Sequence, residues 1–141
     1  MRSEQLVVSL IARIRRKANK LIINELKKHN IRGLDTSHGD IIGALFMKNV
    51  LTMNGLANII EKDKSTVTAL VNKLANLGYV ERVKSEIDNR VTFITLTKKS
   101  KALWPVFVNI SEKLLSTVYK GFSNTEKDML IKLLSKIDKN L

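Results

Sequence analysis

Seven residues within one ten-residue stretch have types and spacing suited to chemistry: Lys64, Ser65, Thr66, Thr68, Ala69, Asn72 and Lys73. On a helix they would share the exposed side. Two ammonium groups can meet phosphates. Three hydroxyls can donate and accept hydrogen bonds. Asn72 can pair with a base edge or a phosphate, and Thr68 and Ala69 can touch a thymine methyl. After Asp63 no acidic residue occurs until Glu81, as a face turned to phosphate requires. The plain alternative is the solvated side of a core helix. A second group lies downstream, where Arg90 is flanked by Arg82 and Lys84 and stands two residues after Asp88. An arginine at a narrow hairpin tip can enter an A·T-rich minor groove, where the negative potential is enhanced. Asp88 cannot favour phosphate, but it can fix the orientation of the guanidinium; turn chemistry alone also explains it.

These groups are placed by short elements. Val67, Leu70, Val71, Leu74 and Leu77 repeat at helical spacing, with Asp63 as a cap and Gly78 as a stop. A shorter helix capped by Thr52 precedes them, and the break at Glu61–Asp63 makes the pair a helix-turn-helix. Helical periodicity then ends. Tyr79–Lys84 and Val91–Leu96 read as two strands of a hairpin with a charged tip.

Around this middle lie longer helices. Residues 4–30 carry a stripe of Leu6, Leu10, Ile14, Leu21 and Leu26, with the basic residues largely off it. A second helix is expected from Thr36 or Ser37 to Lys48, with Asp40 as a weak capping-box partner. Its Gly39 and Gly43 suggest close helix packing. Helical spacing resumes after Thr97 and runs to Phe122, with Pro105 bending or starting that helix. Ser123 and Glu126 open a last helix as a capping box. The stripes on the first and last helices need a partner.

With 141 residues and 44% hydrophobic content, the chain can bury a core. It carries 25 Lys and Arg against 13 Asp and Glu, a net charge of +12. Residues 1–32 hold +7 of that charge and residues 61–101 hold +4, whereas residues 33–60 are at −1. A polyanionic partner suits this balance, nucleic acid before a membrane surface. Cysteine is absent, so disulfides, thiolate metal sites and cysteine nucleophiles are excluded. No apolar run reaches the length of a membrane span, and the short N-terminal apolar stretch has its basic residues on the wrong side for a signal peptide. A cytoplasmic protein is expected. No phosphate-binding loop or nucleophile elbow occurs, so no catalytic role and no cofactor are expected.

The stretches "LTMNGLANIIEKDKSTVTALVNKLANLGYVERV" and "DNRVTFITLTKKSKAL" resemble the MarR family of bacterial transcriptional regulators. The family's wing pattern, Asp-x-Arg followed after five residues by Leu-Thr, is met by Asp88, Arg90, Leu96 and Thr97. The resemblance implies a mainly α fold with a small β-hairpin wing, that is, a winged helix-turn-helix domain with an interlocking helical dimerisation lobe. It sets residues 34–97 as the DNA-binding lobe and residues 1–33 and 98–141 as the dimerisation lobe of a single domain. It implies a homodimer on double-stranded DNA, acting as a repressor at a pseudo-palindromic operator. It also implies a small anionic or aromatic effector between the lobes, for which Arg13, Arg16, Lys17, His38, Phe46 and Trp104 are candidates by residue type. His29 and His38 are the two histidines; a two-histidine metal site spanning the second and fifth helices cannot form within one subunit, and no metal is expected. The competing reading is a winged-helix module that docks protein without reading DNA sequence.

Overall fold

A computed structural model describes residues 2–141; Met1, the first residue of the expected N-terminal segment, lies outside them. A 3-10 turn at Ser3–Leu6 leads into α1 (Val7–Lys28). The remaining elements are α2 (Thr36–Lys48), β1 (Val50–Thr52), α3 (Met53–Ile60), α4 (Lys64–Asn76), β2 (Val80–Lys84), β3 (Thr92–Leu96), α5 (Lys98–Val118) and α6 (Asn124–Asn140).

Local signals set most boundaries. α1 has no proline or glycine and ends where Asn30 turns left-handed (φ 60°), so that the Ile31 N–H returns to the Leu26 carbonyl at 3.0 Å. α4 closes in the same way. Gly78 takes φ 83°, and the Tyr79 N–H reaches the Leu74 carbonyl at 2.8 Å. Ser123 and Glu126 form the expected capping box on α6.

α2 departs from expectation. Its cap is Asp35, whose carboxylate accepts from the N–H groups of Ser37 (2.9 Å) and His38 (3.4 Å). The Asp35 N–H donates in turn to His38 Nδ1 at 3.1 Å. His38 thus fills the place usually held by Glu or Gln in a capping box, and it is buried there. Asp40 plays no part in the cap. Nor do Gly39 and Gly43 serve close packing, since a Cβ on either would meet nothing within 4 Å.

The wing is three-stranded, in the order β1-β3-β2, with both pairings antiparallel. β1 spans only three residues, too few for periodicity to reveal, and places Leu51 opposite Ile94. Pro105 lies inside α5, which runs through it.

The core sits under the wing. Ile41, Leu45, Leu56, Val71, Leu74 and Ile94 are completely buried. Thr97 and Ser100 tie α5 to this lobe: Thr97 Oγ1 donates to the Gly78 carbonyl at 2.6 Å and the buried Ser100 Oγ to the Tyr79 carbonyl at 2.5 Å. The helical lobe is open by contrast. α1 buries only Leu26 and α6 buries nothing. Leu10, Ile14, Leu115, Leu133 and Leu134 are all more than two-fifths exposed. No helix among the described residues is long and apolar enough to cross a membrane.

Candidate nucleic-acid interface

The helix-turn-helix is assembled by two caps and one strained turn. Thr52 Oγ1 accepts the Gly55 N–H at 3.0 Å and starts α3. Glu61 ends α3 in the left-handed region (φ 55°), which turns the chain directly into α4. Asp63 caps α4, accepting the Thr66 N–H at 2.7 Å and the Ser65 hydroxyl at 2.9 Å. The Thr66 N–H and the Ser65 and Thr66 contacts hold its carboxyl below the usual carboxylate range. Val67, Val71 and Leu74 anchor α4 inward, which leaves Lys64, Ser65, Thr66, Thr68, Ala69, Asn72 and Lys73 exposed together on the other side.

Their hydrogen bonds narrow what each can offer. The Thr68 hydroxyl donates to the Lys64 carbonyl at 2.8 Å, so it can offer a ligand its methyl and the lone pairs of its oxygen but no proton. The Lys73 ammonium lies beside Gly33, about 3.5 Å from where a Cβ would stand, at the end of α4 remote from Lys64. Asn72 is not free either, because its Oδ1 accepts from the Arg82 guanidinium.

The wing tip is braced. Ser85 Oγ accepts the N–H groups of Ile87 (3.2 Å) and Asp88 (3.3 Å), and the Val91 N–H closes on the Asp88 carbonyl at 2.9 Å. Arg90 is clamped to Asp88 three times. Its backbone N–H and Nε donate to Oδ1 at 3.0 and 3.1 Å, and its Nη2 donates to Oδ2 at 3.3 Å. Those bonds hold the Asp88 carboxyl below its ordinary range. The Arg90 side chain remains 91% exposed, so the turn aspartate does orient a guanidinium that points into water. Arg82 does not join it. The pleat puts Arg82 with Val80 on the face that carries the buried Ile94 and Leu96, toward α4, and Lys84 follows on the same face opposite Thr92.

A cavity of about 430 Å³ lies between the lobes, walled by α1, α2 and α5. Among the residues expected near an effector only Trp104 lines it. Phe46 stands behind, its ring stacked on Trp104 at 3.8 Å and 9°. Arg13, Arg16 and Lys17 are exposed on α1 and do not line the cavity, and His38 is locked in the α2 cap. The charged residues that do line it are acidic: Asp35, Asp40 and Glu112. Partial burial raises the Asp40 carboxyl, although Arg15 and Lys62 pull it the other way. Ile22, Leu26, Phe107 and Leu114 supply much of the apolar wall, and none of them stands out in the sequence as a ligand contact.

Known proteins resemble this arrangement. The family model described as transcriptional regulator SarA/Rot matches residues 40–104, from α2 through the wing into α5. The HTH-type transcriptional regulator MgrA of Staphylococcus aureus is 29% identical over 135 residues, spanning 95% of this chain and 88% of MgrA. A MarR variant of E. coli, solved in complex with operator DNA, superposes with a TM-score of 0.81 at 20% identity, over 93% of this chain and 92% of that one. BpsR of Bordetella bronchiseptica, whose DNA binding is regulated by 6-hydroxynicotinic acid, superposes at 0.79 with 17% identity, over 94% and 98%.

Proposed function

We propose that this chain is a MarR-type winged helix-turn-helix transcriptional regulator that represses transcription as a homodimer on a pseudo-palindromic operator. The observation that carries this reading is the pairing of an exposed, acid-free face on α4 with an Arg90 held outward by Asp88. Lys64, Ser65 and Thr66 at the N-terminal end of α4 meet phosphates and base edges in the major groove. The Thr68 methyl and Ala69 pack on thymine methyls. Arg90 enters the flanking minor groove. Lys84 and Lys73 supply charge to the backbone, and the basic surface draws in the duplex. The work is cytoplasmic and non-catalytic.

The dimer joins the open stripes of α1, α5 and α6, so that residues 1–33 and 98–141 form one lobe with their two-fold mates. Residues 34–97 of each copy hang from it. Two recognition helices then meet half-sites about one helical turn apart. An effector in the cavity between α1, α2 and α5 acts by changing the separation of the winged lobes. Its lining favours an aromatic ligand, since Trp104 and Phe107 form one wall. Three carboxylates and no basic side chain in that lining turn away an anion.

Selection of duplexes from a random library, followed by binding at two salt concentrations, tests the reading. A pseudo-palindrome whose affinity falls steeply with salt is the expected result. Salt-sensitive binding with no enriched motif refutes sequence readout and leaves a winged-helix module that docks protein.

A further inference from the structure

We infer that Arg82 is a positioning residue for base recognition, fixing Asn72 as a hydrogen-bond donor that selects guanine over adenine in each half-site. This rests on the reading that α4 enters the major groove, and it adds which edge Asn72 can read.

The register places the pair. Arg82 lies opposite Ile94 on the sheet face that packs against the helices, and Asn72 lies one residue after the buried Val71 on α4. The strand therefore sends Arg82 toward the recognition helix, away from the wing tip. A guanidinium has donors only, so the amide must turn its Oδ1 to Arg82. Its Nδ2, with two N–H groups, is left to face outward.

That orientation decides the base. Bidentate pairing with adenine needs both ends of the amide, the carbonyl accepting from N6 and the amine donating to N7. Here one lone pair of the carbonyl is taken by Arg82, so pairing with adenine would need the second to reach N6 from an oxygen already turned toward β2. A donor-only group suits an edge that presents acceptors alone, and guanine offers N7 and O6 side by side. Arg82 has further N–H groups to add to the same edge. Read by residue type alone, Asn72 fits adenine as well as guanine; the contact to Arg82 tips the balance toward guanine.

Duplex selection with the full-length protein, its Asn72→Ala variant and its Arg82→Met and Arg82→Lys variants tests this. Asn72→Ala should erase a guanine preference at one position of each half-site. Arg82→Met frees the carbonyl, so adenine should rise at that same position and guanine-over-adenine discrimination should fall about tenfold or more. Arg82→Lys, which still donates to Oδ1, should keep guanine. Arg82 is exposed, so all variants should melt with the parent. A second measurement needs no Arg82 variant: 7-deazaguanine at that position should weaken the parent protein and leave Asn72→Ala unaffected. Uniform weakening of Arg82→Met with guanine unchanged would overturn the inference and make Arg82 a phosphate contact. So would adenine at the Asn72 position in the parent, or a motif that Asn72→Ala leaves intact. Absence of any motif in the parent would overturn the regulator reading and this inference together.

Discussion

Replacing Leu10 and Ile14 together by alanine should split the proposed dimer without unfolding the chain. The two side chains lie on α1 and are 47% and 52% exposed in the single chain. Fully burying such a side chain is worth about 1.5–3 kcal/mol, so covering the exposed half of each contributes roughly 1 kcal/mol. A two-fold axis repeats every contact, so four side chains take part. Alanine keeps one carbon of each, which trims the loss to roughly 3 kcal/mol, a factor on the order of 100 in the dissociation constant. The fold should survive, because the first half of α1 buries nothing and Leu26, its anchor to the core, is untouched. Alanine also keeps the helix propensity high. Sedimentation equilibrium across a concentration series gives the dissociation constant, and thermal unfolding at a concentration where both proteins are monomeric gives the control. An unchanged dissociation constant, or a parent protein that stays monomeric at micromolar concentration, would refute the assignment of this stripe to a subunit interface.

Arg90→Ala should weaken operator binding roughly ten- to a hundredfold while leaving the melting temperature unchanged; equal affinity at moderate salt would take the wing out of the mechanism. The Arg90–Asp88 clamp holds the Asp88 carboxyl low, so the charged form is favoured in the folded wing. Its contribution is complete at neutral pH and is lost only as pH falls through that lowered value. The Arg90-dependent share of affinity, measured by titration of both proteins, should therefore stay level down to about pH 5. His38 has the opposite history. Burial lowers its pKa below the ordinary histidine value of 6.5, against the pull of Asp35, so below about pH 6.5 the unfolded chain takes up the proton first and stability declines with falling pH. His38→Gln should flatten that slope in a melting series, and an identical slope would place the titration elsewhere. Trp104, the single tryptophan, lines the cavity, so a small aromatic amine should quench its fluorescence at concentrations where benzoate does not; quenching by benzoate alone would contradict the acidic lining.

Much of this was legible in the sequence because it is written in short-range signals. Asp63, Gly78, Ser123 and Glu126 each act within one helical turn, and each does what its type and place imply. The stripe on α4 and the Asp-x-Arg of the wing likewise depend on near neighbours. What escaped the sequence depends on distance. β1 exists because Leu51 finds Ile94 more than forty residues away, and three residues carry no period of their own. The α2 cap was misplaced because histidine rarely plays the part it takes here. Arg82 and Lys84 look alike beside Arg90 in sequence, but the pleat and the position of α4 give Arg82 a partner that no spacing rule reveals. The cavity and its three carboxylates come from residues 34–43, residues 104–114 and Ile22 and Leu26 of α1, which only the fold brings together.

The distribution of burial links these parts into one device. The lobe that would touch DNA holds most of the core, from Leu34 to Leu96, joined by Leu26 and Ile31 before it and by Ile110 of α5. The helices that would set the distance between two such lobes have almost none. In the proposed dimer, affinity for a two-fold site would therefore depend on how the lobes are hung as well as on each recognition helix. The joints between the lobes include the Thr97 and Ser100 bonds to the Gly78 and Tyr79 carbonyls just past α4, the Lys99 bond to the Leu77 carbonyl, the Asn19–Thr36 bond from α1 to α2 and the Phe46–Trp104 stack between α2 and α5. The cavity opens among these joints. A ligand that wedges α2 from α5 would leave every base-contacting residue in place and still move the two copies of α4 out of step with half-sites of fixed spacing. Loss of operator affinity on ligand binding, with single half-site affinity unchanged, is the signature that separates this from a ligand acting on the recognition helix itself.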